Sequence, residues 1–115
     1  MQTHARMDNT QRMISLLGRV RKQMNGAVAE SMANDGENYG LNYGVSIATL
    51  REIAATEQPD HDFAKYLFQQ QVRELRLIAC HLAEPAKVDI HDFPFWARGI
   101  RNPELAEELA FALLS

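Results

Sequence analysis

Several side chains in this 115-residue sequence have the right chemistry for a site. Glu104, Glu107 and Glu108 form a carboxylate cluster, the residue type that serves acid–base work or stabilises a cation. At a helix start the dipole explains Glu104, and a solvated face explains the other two. His61 lies between Asp60 and Asp62, and His91 between Ile90 and Asp92, with Asp89 two residues before it. A metal needs three or four convergent ligands, whereas acidic residues at helix starts are accounted for by the dipole. The expectation is capping, with no metal and no cofactor. Cys80 and His81 are adjacent, so on a helix their side chains diverge by about 100° and cannot act as nucleophile and base for each other. Cys80 follows Ala79 in an apolar stretch and reads as an inert buried thiol. Gly36, Gly40 and Gly44 are evenly spaced and match no phosphate-binding loop. Phe95 and Trp96 have rings that stack on bases, and their helical spacing suits a core equally well.

The cations are the other candidate chemistry. The chain carries a net charge of −3, so affinity for nucleic acid requires its basic residues to gather on one face. Arg12, Arg19, Arg21 and Lys22 lie near the N-terminus, followed by Lys65, Arg73, Arg76, Arg98 and Arg101. Basic residues outnumber acidic ones in residues 1–33 and 63–83, and the reverse holds elsewhere. An ordinary solvated surface produces the same pattern.

Length and composition bound the remaining possibilities. The length implies one domain, 1–115, read as an N-terminal helix and loop (1–45) followed by tandem helices (46–115). Apolar residues make up 46% and charged residues 23%, which excludes wholesale disorder. The longest apolar run, Leu109 to Leu114, is too short to span a bilayer. No apolar block follows Met1, so a secretory signal is not expected, and the location expected is cytoplasmic. A single cysteine allows no internal disulfide.

The elements that must position these residues read as helices. Asp8 and Gln11 have the spacing of a capping box, opening a helix expected over Asn9 to Asn34. Met13, Leu17, Val20, Met24, Ala27 and Ser31 form its stripe. Residues 34–44 are rich in Asn, Asp and Gly and read as a loop. Ser46 is the expected N-cap of the next helix, with Val45 and Leu50 as a hydrophobic staple. Asp60 caps another, lined by Phe63, Ala64, Leu67 and Phe68. Val72, Leu75, Ile78, Ala79 and Leu82 line the following one, which Glu84-Pro85 stops. A further segment is expected over Val88 to Gly99. Asn102-Pro103 starts the last helix, whose stripe is Leu105, Ala106, Leu109, Ala110 and Leu113.

No segment alternates over strand length, so the fold class is all-α. Leu67-Phe68 is echoed by Phe95-Trp96, and Glu74-Leu75 by Glu104-Leu105, about 30 residues on. That period marks stacked helix pairs in an α-α superhelix, a HEAT-like or armadillo-like solenoid of about six helices. The last helix ends in an apolar pattern without a cap, so a protein or a second copy is an expected partner there, through Leu109 and Leu113. No membrane partner is expected.

Three stretches resemble the AlkD-like DNA alkylation repair proteins, which are built from HEAT-like repeats. Tyr39-Gly40-Leu41-Asn42-Tyr43-Gly44-Val45 leading into Leu50-Arg51 is similar to that family's tyrosine–glycine–valine lead. Val72-Arg73-Glu74-Leu75-Arg76-Leu77-Ile78-Ala79 and Phe95-Trp96 through Asn102-Pro103-Glu104 resemble two of its helices. The resemblance covers about residues 32–112 and the N-terminal half of the family. It implies a concave surface facing duplex DNA and, in members that excise alkylated purines, a tryptophan with an aspartate four residues later. The carboxylate stabilises positive charge on the sugar as the glycosidic bond breaks. Those two positions fall on Glu104 and Glu108, so Glu108 is the candidate catalytic carboxylate, with Trp96 as the substitute stacking group. The DNA-binding residues expected are Lys65, Arg73, Arg76, Trp96, Arg98 and Arg101. The expected function is a DNA-binding or partner-binding helical-repeat module with weak or no glycosylase activity. The alternatives are a protein-interaction scaffold or an active glycosylase using Glu108.

Overall fold

A computed structural model describes residues 8–24 and 41–114. Within them the chain forms six α-helices, one short 3-10 turn and no strand. The first helix, α1 (Asn9–Arg21), opens with the capping box. Asp8 accepts from the Gln11 amide at 2.8 Å, and the Gln11 side chain accepts from the Asp8 amide at 3.2 Å. It stops well short of the expected Asn34. Tighter turns from Gln23 to Val20 and from Met24 to Arg21 follow, just ahead of the poor helix formers Asn25 and Gly26. The expected continuation to Asn34, with Gly36 and Gly40 of the loop, lies outside the described residues.

Helix α2 (Ile47–Ala55) is capped by Ser46, which accepts from the Thr49 amide. Both halves of the expected staple, Val45 and Leu50, are buried. Helix α3 (His61–Phe68) is capped by Asp60 through the Phe63 amide. Helix α4 (Arg73–Leu82) is followed by the 3-10 turn Pro85–Lys87. Helix α5 (Phe93–Gly99) starts five residues later than the expected Val88. The reason is Pro94, which lacks an N–H and fits only a first turn. Asp89 holds the preceding bend by accepting from the amides of His91 and Asp92. In α6 (Pro103–Leu114), Asn102 caps the Leu105 amide as expected.

Helix α4 is the centre of the molecule. It packs against α2, α3 and α6. Every residue from Arg73 to Cys80 is buried, so the single stripe read from the sequence understates how thoroughly this helix is enclosed. The sequence echo has a physical counterpart. Phe68 lies 4.6 Å from Trp96 and 6.0 Å from Phe95, ring centre to ring centre, so the two echoed pairs pack on each other. An all-helical chain of this kind is consistent with a helical-repeat domain. No helix among the described residues is long and apolar enough to cross a membrane.

Cations also join the helices. Arg12 of α1 donates to the capping residue Asp60 at 2.6 Å and lies over the Phe63 ring at 3.9 Å. Arg19 donates to Thr56 at the end of α2. Close approach matters at Gly99, where a methyl group would meet Phe68 Cε2 at 2.3 Å. At Gly18 the same addition meets nothing within 4 Å. Gly99→Ala is therefore expected to lower stability by about 1–3 kcal/mol through overpacking. Gly18→Ala, in mid-helix, should raise it by up to about 1 kcal/mol. Urea denaturation of the two variants checks the pair, and an equal response at both positions would contradict the packing.

Candidate nucleic-acid interface

Three of the expected cations meet in one place. A cleft of about 290 Å³ opens where the α3–α4 turn faces the α5–α6 connection. Phe68, Phe95 and Gly99 line it together with Gln69 and Gln71, and its charged residues are Arg76, Arg98 and Arg101. Among the described residues no carboxylate lines it. Three positive charges thus face one hollow on a chain whose net charge is negative. Like charges gathered around low-dielectric walls concentrate the field and attract anions.

The three arginines differ in how they are held. Arg76 is 3% exposed. Its Nε donates to the Gln70 carbonyl at 2.6 Å, and its Nη1 donates to the Gly99 carbonyl at 3.1 Å. It therefore ties the end of α3 to the end of α5 and sets the width of the cleft. Arg98 and Arg101 are exposed, and neither takes part in an ion pair among the described residues. Sequence reasoning did not single out Gln69 or Gln71, although a run of three glutamines at a helix end was there to be read.

The other expected contacts lie elsewhere. Arg73 is 1% exposed, does not line the cleft and forms a network of its own. Two of its nitrogens hold Glu104 in a bidentate pair at 2.9 Å, and Nη1 donates to Glu74 and to the Val45 carbonyl, both at 2.7 Å. Burial alone would make this guanidinium easier to deprotonate, but Glu104 and Glu74 reverse that and raise its pKa. Glu104 is thus a structural partner, beyond any dipole role. Trp96 has no exposed surface and donates to Asp92 at 2.7 Å, so its ring is part of the core.

Lys65 is half-buried at the cleft's flank, over the Phe95 ring at 4.7 Å, and pairs with Asp92. Asp92 also accepts from Trp96 and from His61 Nε2. The other ring nitrogen of His61 accepts from the Glu84 amide at 3.0 Å, which places the ring proton on Nε2. His61 is a buried link between α3 and the two segments after α4. No group of three or more His, Cys, Asp or Glu residues among the described residues is arranged to hold a metal.

Glu108 is 4% exposed and does not lie on a solvated face. Arg51 holds it in a bidentate pair at 2.9 and 3.0 Å, and His81 bonds the same carboxylate. Phe111 covers the cluster, with Arg51 3.9 Å from its ring centre. Burial works to raise the Glu108 pKa, yet Arg51 and then His81 outweigh it and lower it. The carboxylate is ionised and already neutralised by its neighbours. Burial also pushes the Cys80 thiol up, with the Glu108 charge adding to it, so this cysteine stays protonated and inert. On α6 the expected Leu109 is buried and Leu113 is half-buried against the core, and the large apolar residues that are exposed are Phe111 and Leu114.

Compared with known proteins, residues 17–115 match the model of a family described as "DNA alkylation repair enzyme". No curated protein and no solved structure matches the chain.

Asp92 supplies a pH-dependent prediction. Burial favours its neutral form, but the hydrogen bonds from Lys65, His61 and Trp96 dominate and hold its pKa at about 2. An unfolded aspartate titrates near ~3.9. The folded state therefore binds fewer protons in that window, and its stability is full above it and lost as pH falls from about 4 to about 2. Asp92→Asn should be less stable at neutral pH and show a shallower acid-side fall, measured by urea denaturation across pH 2–7. An unchanged pH profile would remove this role for Asp92.

Proposed function

The chain belongs to the DNA alkylation repair enzyme family, whose model spans residues 17–115, and on that premise we propose that it is a DNA-binding module that does not itself excise bases. One observation carries the reading: Arg76, Arg98 and Arg101 share a cleft that no carboxylate among the described residues lines. Phosphate contacts supply most of the affinity of proteins for DNA, and two exposed guanidiniums braced by a third are suited to them. An arginine presents a planar fork that matches phosphate oxygens.

The position of Glu108 argues against base excision. A carboxylate that stabilises a sugar cation must face that cation with its charge unspent. Here both oxygens are engaged by Arg51 and His81 under Phe111. The two cationic or polar neighbours offset the charge the reaction would need, and no aromatic residue stands at position 104.

Binding to a duplex should weaken with salt, with a slope of log K against log salt between about −2 and −3 for two or three phosphate contacts. The double variant Arg98→Glu, Arg101→Glu should lose most of that affinity and flatten the slope, with its melting temperature unchanged. Salt-independent binding, or a variant that binds as well as the parent, would defeat the proposal. Arg73 is unsuitable for such a test because its removal attacks the fold. For catalysis, methylated DNA incubated with the protein is expected to release no free alkylated base. Release that disappears in Glu108→Gln would reinstate Glu108 as the catalytic carboxylate.

A further inference from the structure

Two helix faces left exposed by the fold have matching chemistry. On α6, Glu107, Ala110, Phe111 and Leu114 fall at i, i+3, i+4 and i+7 and so form one stripe. Together they line a shallow hollow of about 420 Å³. Leu114 is 87% exposed and Phe111 48%. Glu107 is exposed too and takes part in no ion pair among the described residues. On α5, Phe93, Pro94, Ala97 and Arg98 are all exposed, at a spacing that puts them on one flank of the helix. Arg101 follows just past its end. Large apolar side chains gathered at a surface mark a contact site. One of these faces is apolar and acidic, the other apolar and basic.

We infer that the α6 stripe of one copy of this chain packs on the α5 flank of a second copy, with Phe111 and Leu114 against Phe93 and Ala97 and with Glu107 facing Arg98 and Arg101. The charges select this pairing. A second α6 carries no cation to meet Glu107, and a second α5 carries no acid to meet Arg98. Phenylalanine and arginine are also enriched at protein interfaces. Arg98 lines the cleft as well. An arginine engaged by Glu107 is not available to a phosphate, so, given the DNA-binding reading above, pairing and DNA binding exclude each other.

Sedimentation velocity at low salt, across a range of protein concentrations and without DNA, is the test. The sedimentation coefficient should rise with concentration. Leu114→Lys puts a charge into the apolar contact and should abolish the rise, with the melting temperature unchanged because the position is exposed. Glu107→Arg and Arg98→Glu should each weaken association by about tenfold or more. Both reversals combined in one chain should restore it, because the two positions again carry opposite signs. A coefficient independent of concentration overturns the inference. So does association that persists in Leu114→Lys, or that the combined reversal fails to recover. Added to the associated parent protein, a short duplex should dissociate the pairs, and a duplex that binds without dissociating them also overturns the inference. If no duplex binds while the concentration dependence and its rescue hold, the pairing stands and the DNA-binding reading falls.

Discussion

A guanidinium enclosed in a protein interior is costly unless nearly all its donors are satisfied and its charge is matched, and Arg73 meets that condition only through three separate parts of the chain. Glu74 follows it on α4, Glu104 comes from the first turn of α6, and the Val45 carbonyl comes from the segment before α2. Glu74 in turn accepts from the amides of Tyr43 and Val45. The backbone around Leu41 completes the seam, with the Leu41 amide on the Gln71 carbonyl and the Arg73 amide on the Leu41 carbonyl. Removing any one partner leaves a buried charge exposed to low dielectric. The segment before α2, the start of α4 and the start of α6 are therefore held in a single arrangement. Gly44, with φ of 71°, supplies the backbone turn this requires, where a side chain would be strained.

That seam also sorts the cations of an acidic chain. Arg12 and Arg19 dock α1, Arg51 binds Glu108, Lys65 binds Asp92, and Arg73 holds the central seam. Each is matched by a carboxylate and adds little field outside the molecule. Arg76 donates to two carbonyl oxygens in the cleft wall. With Arg98 and Arg101 it makes the cleft locally positive against a net charge of −3. Specific siting, more than total charge, sets the local charge of this cleft.

Much of the framework is legible residue by residue. Asp8 with Gln11, Ser46, Asp60 and Asn102 each cap the helix their position implies, because a cap depends only on a side-chain oxygen and the amides two or three residues on. The apolar stripes of α2 and α3 are legible for a similar reason, since helical periodicity is a local property, whereas on α6 Leu105 and Leu109 are buried as expected and Ala110 is exposed. Pro94 was legible in principle as well, and it moves the start of α5 to Phe93. The site was far less so. Arg73 and Arg98 are both arginines on or beside helices, and nothing within a few residues of either distinguishes the buried one from the exposed one. Glu108 looked like a surface acid because its partners, Arg51 and His81, are 57 and 27 residues away in sequence.

By itself, then, the order of residues determined an all-helical chain, the places where most helices begin, and membership of a recognisable family, all of which follow from short-range hydrogen bonding and periodicity. Tertiary structure alone decided which charges are consumed inside and which face outward. Coulombic pairing and desolvation depend on distances in space between residues far apart along the chain. Only after α4 is enclosed by its neighbours do three arginines from separate elements come to share one hollow.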